Sequence, residues 1–443
     1  MGNNKIKNIK KFYNSEIPVD WEISSFGENF EFLKTFAFSR KNLTSEKTEL
    51  ELQNIHYGDI HSKFENEILD VEKFQLPYVK KGLIKKEKIE EENFPKLKDG
   101  DLIITDVSED YVGLCESIEI ENVGDKLIVG GLHTYICRVK TEKIAKRIKP
   151  YLLKHPQIVR QIRRLANGIS VYGLSKKELS KILLALPPLK EQNAIANILE
   201  LFDKLIELYS KLLEQKQFRK KWLMQNLLSG KIRLKGFKDK WRSYNLNSLG
   251  DTYSGLNGKN KEDFGTGFPY IPYLNIYNNF VVDVKNLSYV NVKENELQNC
   301  VQFGDIFFTI SSETPDEVGI SSVLLENNLS TLYLNSFCFG YRLKNFDILN
   351  PHFASYIFRA NGFRFKLRKL SQGATRYNLS KKSFLKLDIV LPSKMEQEKI
   401  LQFLHLQENQ LYFYNSKLNI LKNFKKGYMQ KLLSGKKRFK NFL

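Results

Sequence analysis

Two patterns of apolar and polar positions alternate along the chain, and each occurs twice. The first is helical. After Leu186-Pro187-Pro188-Leu189-Lys190-Glu191-Gln192, apolar residues fall at Ile195, Leu199, Phe202, Ile206, Tyr209 and Leu213, and resume at Leu223 and Leu227. Alternating steps of four and three make the a/d seam of a heptad repeat. The second copy puts Ile400, Leu404, Leu411, Tyr414, Leu418, Leu421, Tyr428 and Leu432 in the same phase, with Gln407 interrupting one a-type position. Proline suits the first turn of a helix and disfavours helix before itself, so each helix opens at its Leu-Pro. Each closes near Ser229-Gly230 or Ser434-Gly435, where glycine can take the left-handed cap conformation. At 1.5 Å per residue, Pro188 to Leu228 would span roughly 60 Å. Two such helices can bury their stripes against each other, through Ile195, Leu199, Phe202, Ile206 and Leu213 on one and Ile400, Leu404, Leu411 and Leu418 on the other. Packing of each stripe on its own globular neighbour is the alternative.

The second pattern is mixed. Short runs such as Leu102-Ile103-Ile104, Leu127-Ile128-Val129, Tyr135-Ile136-Cys137 and Val281-Val282 read as strands, punctuated by Gly and Asn as turns require. Ile148 to Leu165 and Pro351 to Leu370 read as helices rich in Arg and Lys. Each mixed stretch reads as a separate α+β domain. The expected divisions are 1–185 and 237–390 for the mixed domains, and 186–236 and 391–443 for the helical segments.

The alternation is an internal duplication. At a constant offset of 205 residues, the distance from Gly168 to Gly373, Leu174-Ser175-Lys176-Lys177 matches Leu379-Ser380-Lys381-Lys382. Glu191-Gln192 matches Glu396-Gln397, and Leu227-Leu228-Ser229-Gly230-Lys231 matches Leu432-Leu433-Ser434-Gly435-Lys436. Arg233 and Phe237 match Arg438 and Phe442. Upstream the likeness is weaker and slips by about a residue: Gly100-Asp101 answers Gly304-Asp305, and Val112-Gly113 answers Val318-Gly319.

Charge adds a partner class. The net charge of +20 over 443 residues repels itself unless a polyanion neutralises it, and nucleic acid is the first candidate. Lysine drift in an AT-rich genome would give the same excess. The four cysteines are scattered without metal-ligand spacing and read as small buried residues in a reducing cytoplasm. The first residues, Met1 to Lys11, lack an apolar signal region, and no apolar run is long enough to span a membrane.

Catalytic signatures are missing. Gly255-Leu256-Asn257-Gly258-Lys259-Asn260 fails as a phosphate loop, because Tyr253 stands where Gly is needed and no Ser or Thr follows the lysine. Asn350-Pro351-His352-Phe353 lacks the second proline of an amino-methyltransferase tetrad and reads as a turn opening a helix. No zinc or hydrolase pattern is present.

Leu-Ser-Lys-Lys, then Leu-Pro-Pro-Leu-Lys-Glu-Gln, then Gln-Asn-Leu-Leu-Ser-Gly-Lys-Ile-Arg, over Leu174 to Phe237, resembles the conserved region of type I restriction-modification specificity subunits. Leu379 to Phe442 resembles it again, with Ser393 replacing the second proline. The resemblance implies an α+β chain with two target recognition domains, separated by two long antiparallel helices that form a coiled-coil spacer, related by a pseudo-twofold internal repeat. It implies a non-catalytic, cytoplasmic chain that reads a bipartite site on double-stranded DNA. It also implies docking of two modification (methyltransferase) subunits and two restriction (translocase-nuclease) subunits, with no membrane partner. No cofactor is expected here; S-adenosylmethionine, ATP and magnesium belong to the partner subunits. Two other readings stand beside it: a standalone coiled-coil nucleic-acid adaptor outside any restriction system, and an enzyme such as a nuclease with an unrecognised site.

Positive side chains position a protein on phosphates, and loops supply base contacts. The phosphate candidates are Arg160, Arg163, Arg164, Lys176 and Lys177 in the first copy, and Arg364, Arg368, Lys369, Lys381 and Lys382 in the second. For base contact, the loop after Gly168 offers Ser170 and Tyr172. The loop after Gly373 offers Thr375, Arg376, Tyr377 and Asn378, and Tyr57 is a further candidate. The basic runs Lys216 to Lys221 and Lys422 to Lys440 would contact DNA or an acidic face of the modification subunit. Any of these cations could equally lie on a solvated helix face.

Overall fold

The computed structural model describes residues 9–64, 66–111, 113–327, 331–373 and 376–438. Two compact units emerge, each discontinuous in sequence or bounded within a helix. The first comprises residues 1–210 and 416–443, the second residues 211–415. Two 40-residue helices, Leu189–Leu228 and Lys394–Leu433, are the longest elements. Each gives its first half to one unit and its second half to the other.

In the first unit a five-stranded sheet runs Phe30–Leu33, Thr134–Val139, Leu102–Thr105, Ser117–Glu121, Ile68–Asp70, and only the last pair is parallel. A four-stranded sheet adds Ile128–Gly130, Gln53–Ile55, Tyr78–Val79 and Leu43–Thr44. In the second unit Gly250–Ser254, Cys338–Leu343, Ile306–Thr309 and Ser321–Val323 repeat the order of the first four strands, all antiparallel. The equivalent central strands, Leu102–Thr105 and Ile306–Thr309, are buried at every position, so they read as continuous apolar runs rather than alternating ones.

Some sequence expectations needed correction. Val281 makes an isolated bridge to Val323 instead of opening a strand, because the chain turns at once through Asp283, whose backbone is held by the Asn275 side chain. Ile148 to Leu165 is two helices, Lys149–Leu152 and Pro156–Leu165: proline forces His155 out of helical geometry, and the His155 ring caps the second helix at the Gln157 N–H. Pro351 to Leu370 also divides, into Pro351–Ile357 and Asn361–Leu370. Arg359 in the gap donates to the carbonyls of Ser321, Ile276, Tyr277 and Asn279. Of the cysteines, Cys300 is exposed.

The duplicated motifs are the fastenings between each domain and the long helices. In the first unit Glu191 accepts from Trp21 Nε1 at 3.1 Å and from Arg438 Nε and Nη2 at 3.0 and 2.7 Å. In the second unit Glu396 accepts from Trp241 Nε1 at 3.2 Å and from Arg233 at 2.6 and 2.7 Å. The neighbouring glutamines do the same work for backbone. Gln192 donates to Lys143 and Pro187 carbonyls and accepts from Ala145 N–H; Gln397 donates to Ile348 and Pro392 carbonyls and accepts from Asn350 N–H. Both carboxylates and both amides are buried, so each bond also satisfies a group that would be costly unpaired. A third pair repeats as well: Tyr151 donates to Asp203, which also binds Lys425, and Tyr356 donates to Glu408, which also binds Lys220.

Within each unit the two helices run antiparallel. In the first, Glu191 meets Arg438, while Phe202 packs near Phe424 and Tyr428, so one number rises as the other falls. In the second, Lys216 lies over Tyr414 and Lys220 pairs with Glu408. The seam divides its labour. Ile195 and Leu199 enter the first domain's core beside Leu432 and Leu433, and Ile400 and Leu404 enter the second beside Leu227 and Leu228. Phe202 packs on the opposite helix; Leu213 and Leu418 are buried; Ile206 and Leu411 are half-buried. The ends of each stripe thus pack on their own domain, and Phe202 reaches the opposite helix.

Candidate nucleic-acid interface

Both units build one surface in the same way. A short helix follows a strand: Tyr57–Ser62 in the first unit, Tyr273–Asn278 in the second. One turn along, His61 and Tyr277 face a glutamate. His61 Nδ1 lies 2.8 Å from Glu116, and Tyr277 donates to Glu317 at 2.6 Å. The hydrogen bond to Glu116 raises the His61 pKa above its ordinary value, with the carboxylate's charge adding to it. Tyr57 is half-buried, edge-on to His133 at 5.3 Å. His133 pairs with Asp106, whose carboxyl is pushed up by burial despite that partner. The Asp59 beside Tyr57 is buried and ion-paired to Arg40 and Lys63, so it shapes the helix.

Beside this helix a two-stranded ribbon closes a loop. Val107–Ser108 pairs with Tyr172–Gly173, and Ser311–Ser312 pairs with Tyr377–Asn378. Gly168 and Gly373 start the loops with φ of 131° and 138°, and a Cβ there would lie 1.9 Å from the carbonyl oxygen of Val171 or Arg376. Only glycine permits that closure. Ser170 is exposed, and Tyr172 stacks on Tyr111 at 3.8 Å. Arg376 and Asn378 are exposed and Tyr377 is half-buried; Thr375 lies outside the described residues. Arg376 borders a cavity of about 390 Å³ walled by Tyr273, Tyr277, Phe337 and Glu317.

Arg160, Arg163 and Arg164 project from the exposed face of Pro156–Leu165, opposite buried Ile158 and Ile162. Lys176 is exposed, with its ammonium over the Phe32 and Tyr135 rings, and Lys177 is exposed. In the second unit Lys369 and Lys382 are exposed, Arg368 pairs with Asp316 at 2.6 Å, and Lys381 donates to Ser254. Arg364 leaves the phosphate set: it is buried at 8% exposure, donates to the Asp316 carbonyl, and burial lowers its pKa to about 10. The basic C-terminal run is also partly spent inside the first unit. Lys425 binds Glu67 and Asp203, and Arg438 binds Glu191 and Asp20. Lys437 donates to the Tyr428 hydroxyl, exposed Lys422, Lys426, Lys431 and Lys436 remain, and Lys440 lies outside the described residues.

The sequence did not single out His61, His133, Tyr277 or Glu317. Aligning Tyr57 with Tyr273 would have found the residue one turn later in each copy. Among the described residues no group of His, Cys, Asp and Glu is placed to hold a metal, and no helix is long and apolar enough to cross a membrane.

A duplicated α+β scaffold, each copy presenting a cation-flanked loop, defines a two-module recognition protein. The family described as type I restriction modification DNA specificity domain matches residues 18–215 and again 238–409. The chain belongs to that family. It is 25% identical, over 98% of both chains, to the putative type I restriction enzyme MjaX specificity subunit of Methanocaldococcus jannaschii. It is 28% identical to the MjaVIII specificity subunit of the same organism, over 52% of this chain and 50% of that one. Among solved structures, the HsdS subunit from Thermoanaerobacter tengcongensis aligns with TM-score 0.57 at 17% identity, covering 96% of this chain and 99% of that one. A chain from work on assembly and conformational transition of the type I R-M system aligns with TM-score 0.63 at 17% identity, covering 95% and 99%. Both share the fold.

Proposed function

We propose that this specificity subunit reads a split DNA site, one half with each unit, and does no chemistry itself. The observation that carries the reading is the paired loop. Gly168 and Gly373 each close against the carbonyl three residues on, at matching places of one duplicated frame, and the residues between differ in sequence. Like frames with unlike tips suit two half-sites of different sequence. The long helices then act as the spacer, and residues 1–185 and 237–390 as the readers.

Modification and restriction subunits, two of each, supply methyl transfer and cleavage, together with S-adenosylmethionine, ATP and magnesium. Docking is supported by large apolar side chains left exposed on the long helices: Leu201 and Leu208 in the first unit, Phe218, Trp222 and Tyr412 in the second. Leu201 and Leu208 stand two helical turns apart, a spacing that suits the covering face of a protein partner. Such a complex works on chromosomal DNA in the cytoplasm.

In vitro selection from random duplexes, using the chain with its modification subunit, tests this. The expected outcome is two short defined sequences separated by a gap of constant length and free composition. A single uninterrupted motif, or no enrichment, would contradict the proposal.

A further inference from the structure

The two loop tips differ in chemical kind. Ile169 is 96% exposed and Val171 49% exposed, so the first unit holds out two branched aliphatic side chains on a pinned turn. The position 205 residues after Val171 is Arg376, also exposed. The turn is rigid at its base: Asn167 and Gly173 exchange both backbone hydrogen bonds, as do Gln372 and Asn378. Cations flank each loop in sequence. Arg163 and Arg164 precede the first and Lys176 and Lys177 follow it; Arg368 and Lys369 precede the second and Lys381 and Lys382 follow it.

An exposed loop flanked in sequence by cations suits a groove walled by two rows of phosphates. In the major groove an aliphatic side chain has one distinctive target, the thymine C5-methyl. It offers no hydrogen bond and gains only where apolar surface is covered. A guanidinium instead spans guanine O6 and N7 with two parallel bonds. We infer that the first unit selects thymine through Ile169 and Val171, while the second selects guanine through Arg376. This inference rests on the reading that each unit recognises one half-site.

The test uses the full complex and its selected duplex, modified in one half-site at a time. Deoxyuridine in place of thymine removes only the methyl; 7-deazaguanine in place of guanine removes only N7. Deoxyuridine in one half-site is expected to weaken binding about fourfold, the value of one apolar carbon covered. The Ile169→Ser, Val171→Ser double variant should bind both forms equally. In the other half-site 7-deazaguanine is expected to weaken binding about tenfold, and Arg376→Ala should abolish that difference. Specific binding of the unmodified duplex with no response to either analogue would overturn the inference and leave the split-site reading standing. An analogue effect that persists unchanged in the matching variant would also overturn it. Failure of the unaltered complex to bind the unmodified duplex specifically would instead sink the split-site reading.

Discussion

Burial holds the His155 imidazole down to about 4, against an ordinary 6.5, because the ring sits in the first unit's core edge-on to Phe12 at 5.1 Å. The folded state therefore binds this proton less readily than the unfolded one. Its contribution to stability is complete above pH 6.5 and is lost as pH falls towards 4, up to about 3 kcal/mol in all. The ring also caps a helix by accepting from Gln157 N–H at 3.1 Å. His155→Asn keeps an acceptor for that cap and does not titrate. Thermal unfolding between pH 6.5 and 4 should show a smaller acid-induced fall in Tm for the variant than for the parent. Equal falls would refute the assignment. At this scale the sequence showed that Glu191, Gln192, Arg233 and their copies recur, but not why. Their partners lie far away in sequence, as Arg438 does from Glu191, so the recurrence was legible and the fastening was not.

Elements were legible where periodicity was strong and long. Both 40-residue helices were expected from heptad phase and Leu-Pro starts, and their ends carry Gly230 and Gly435 at φ of 69° and 67°. Short elements were harder. The break at His155 follows from one proline, but that at Arg359 depends on carbonyls about 40 and 80 residues away, which no local pattern reveals. The helix Pro156–Leu165 carries its own prediction. Arg160, Arg163 and Arg164 share its exposed face, so changing all three to Gln should weaken binding to every duplex alike. It should also flatten the dependence of log affinity on log salt by about 0.9 for each phosphate left without its cation. Titration across salt concentrations measures this, and an unaltered slope would remove these residues from the phosphate set. Arg364 shows the opposite case: basic and well spaced in sequence, yet consumed by the Asp316 loop.

At the scale of the whole molecule, the duplication explains why so much could be read from one chain. A repeated segment reports two solutions to the same packing problem, and positions alike in both, such as Glu191 and Glu396, serve the frame. Positions that differ, such as Val171 and Arg376, are free to serve recognition. The central claim is that the helices joining the two copies set the gap between half-sites. Four residues inserted after Gln215, with four more after Tyr414 where Lys216 packs, preserve the helix pairing within each unit. They lengthen the spacer by about 6 Å, roughly two base pairs of duplex. Mapping the sites methylated by the reconstituted complex decides the matter: the account predicts the same two half-sites with a gap one or two base pairs wider, and an unchanged gap or altered half-site bases would contradict it.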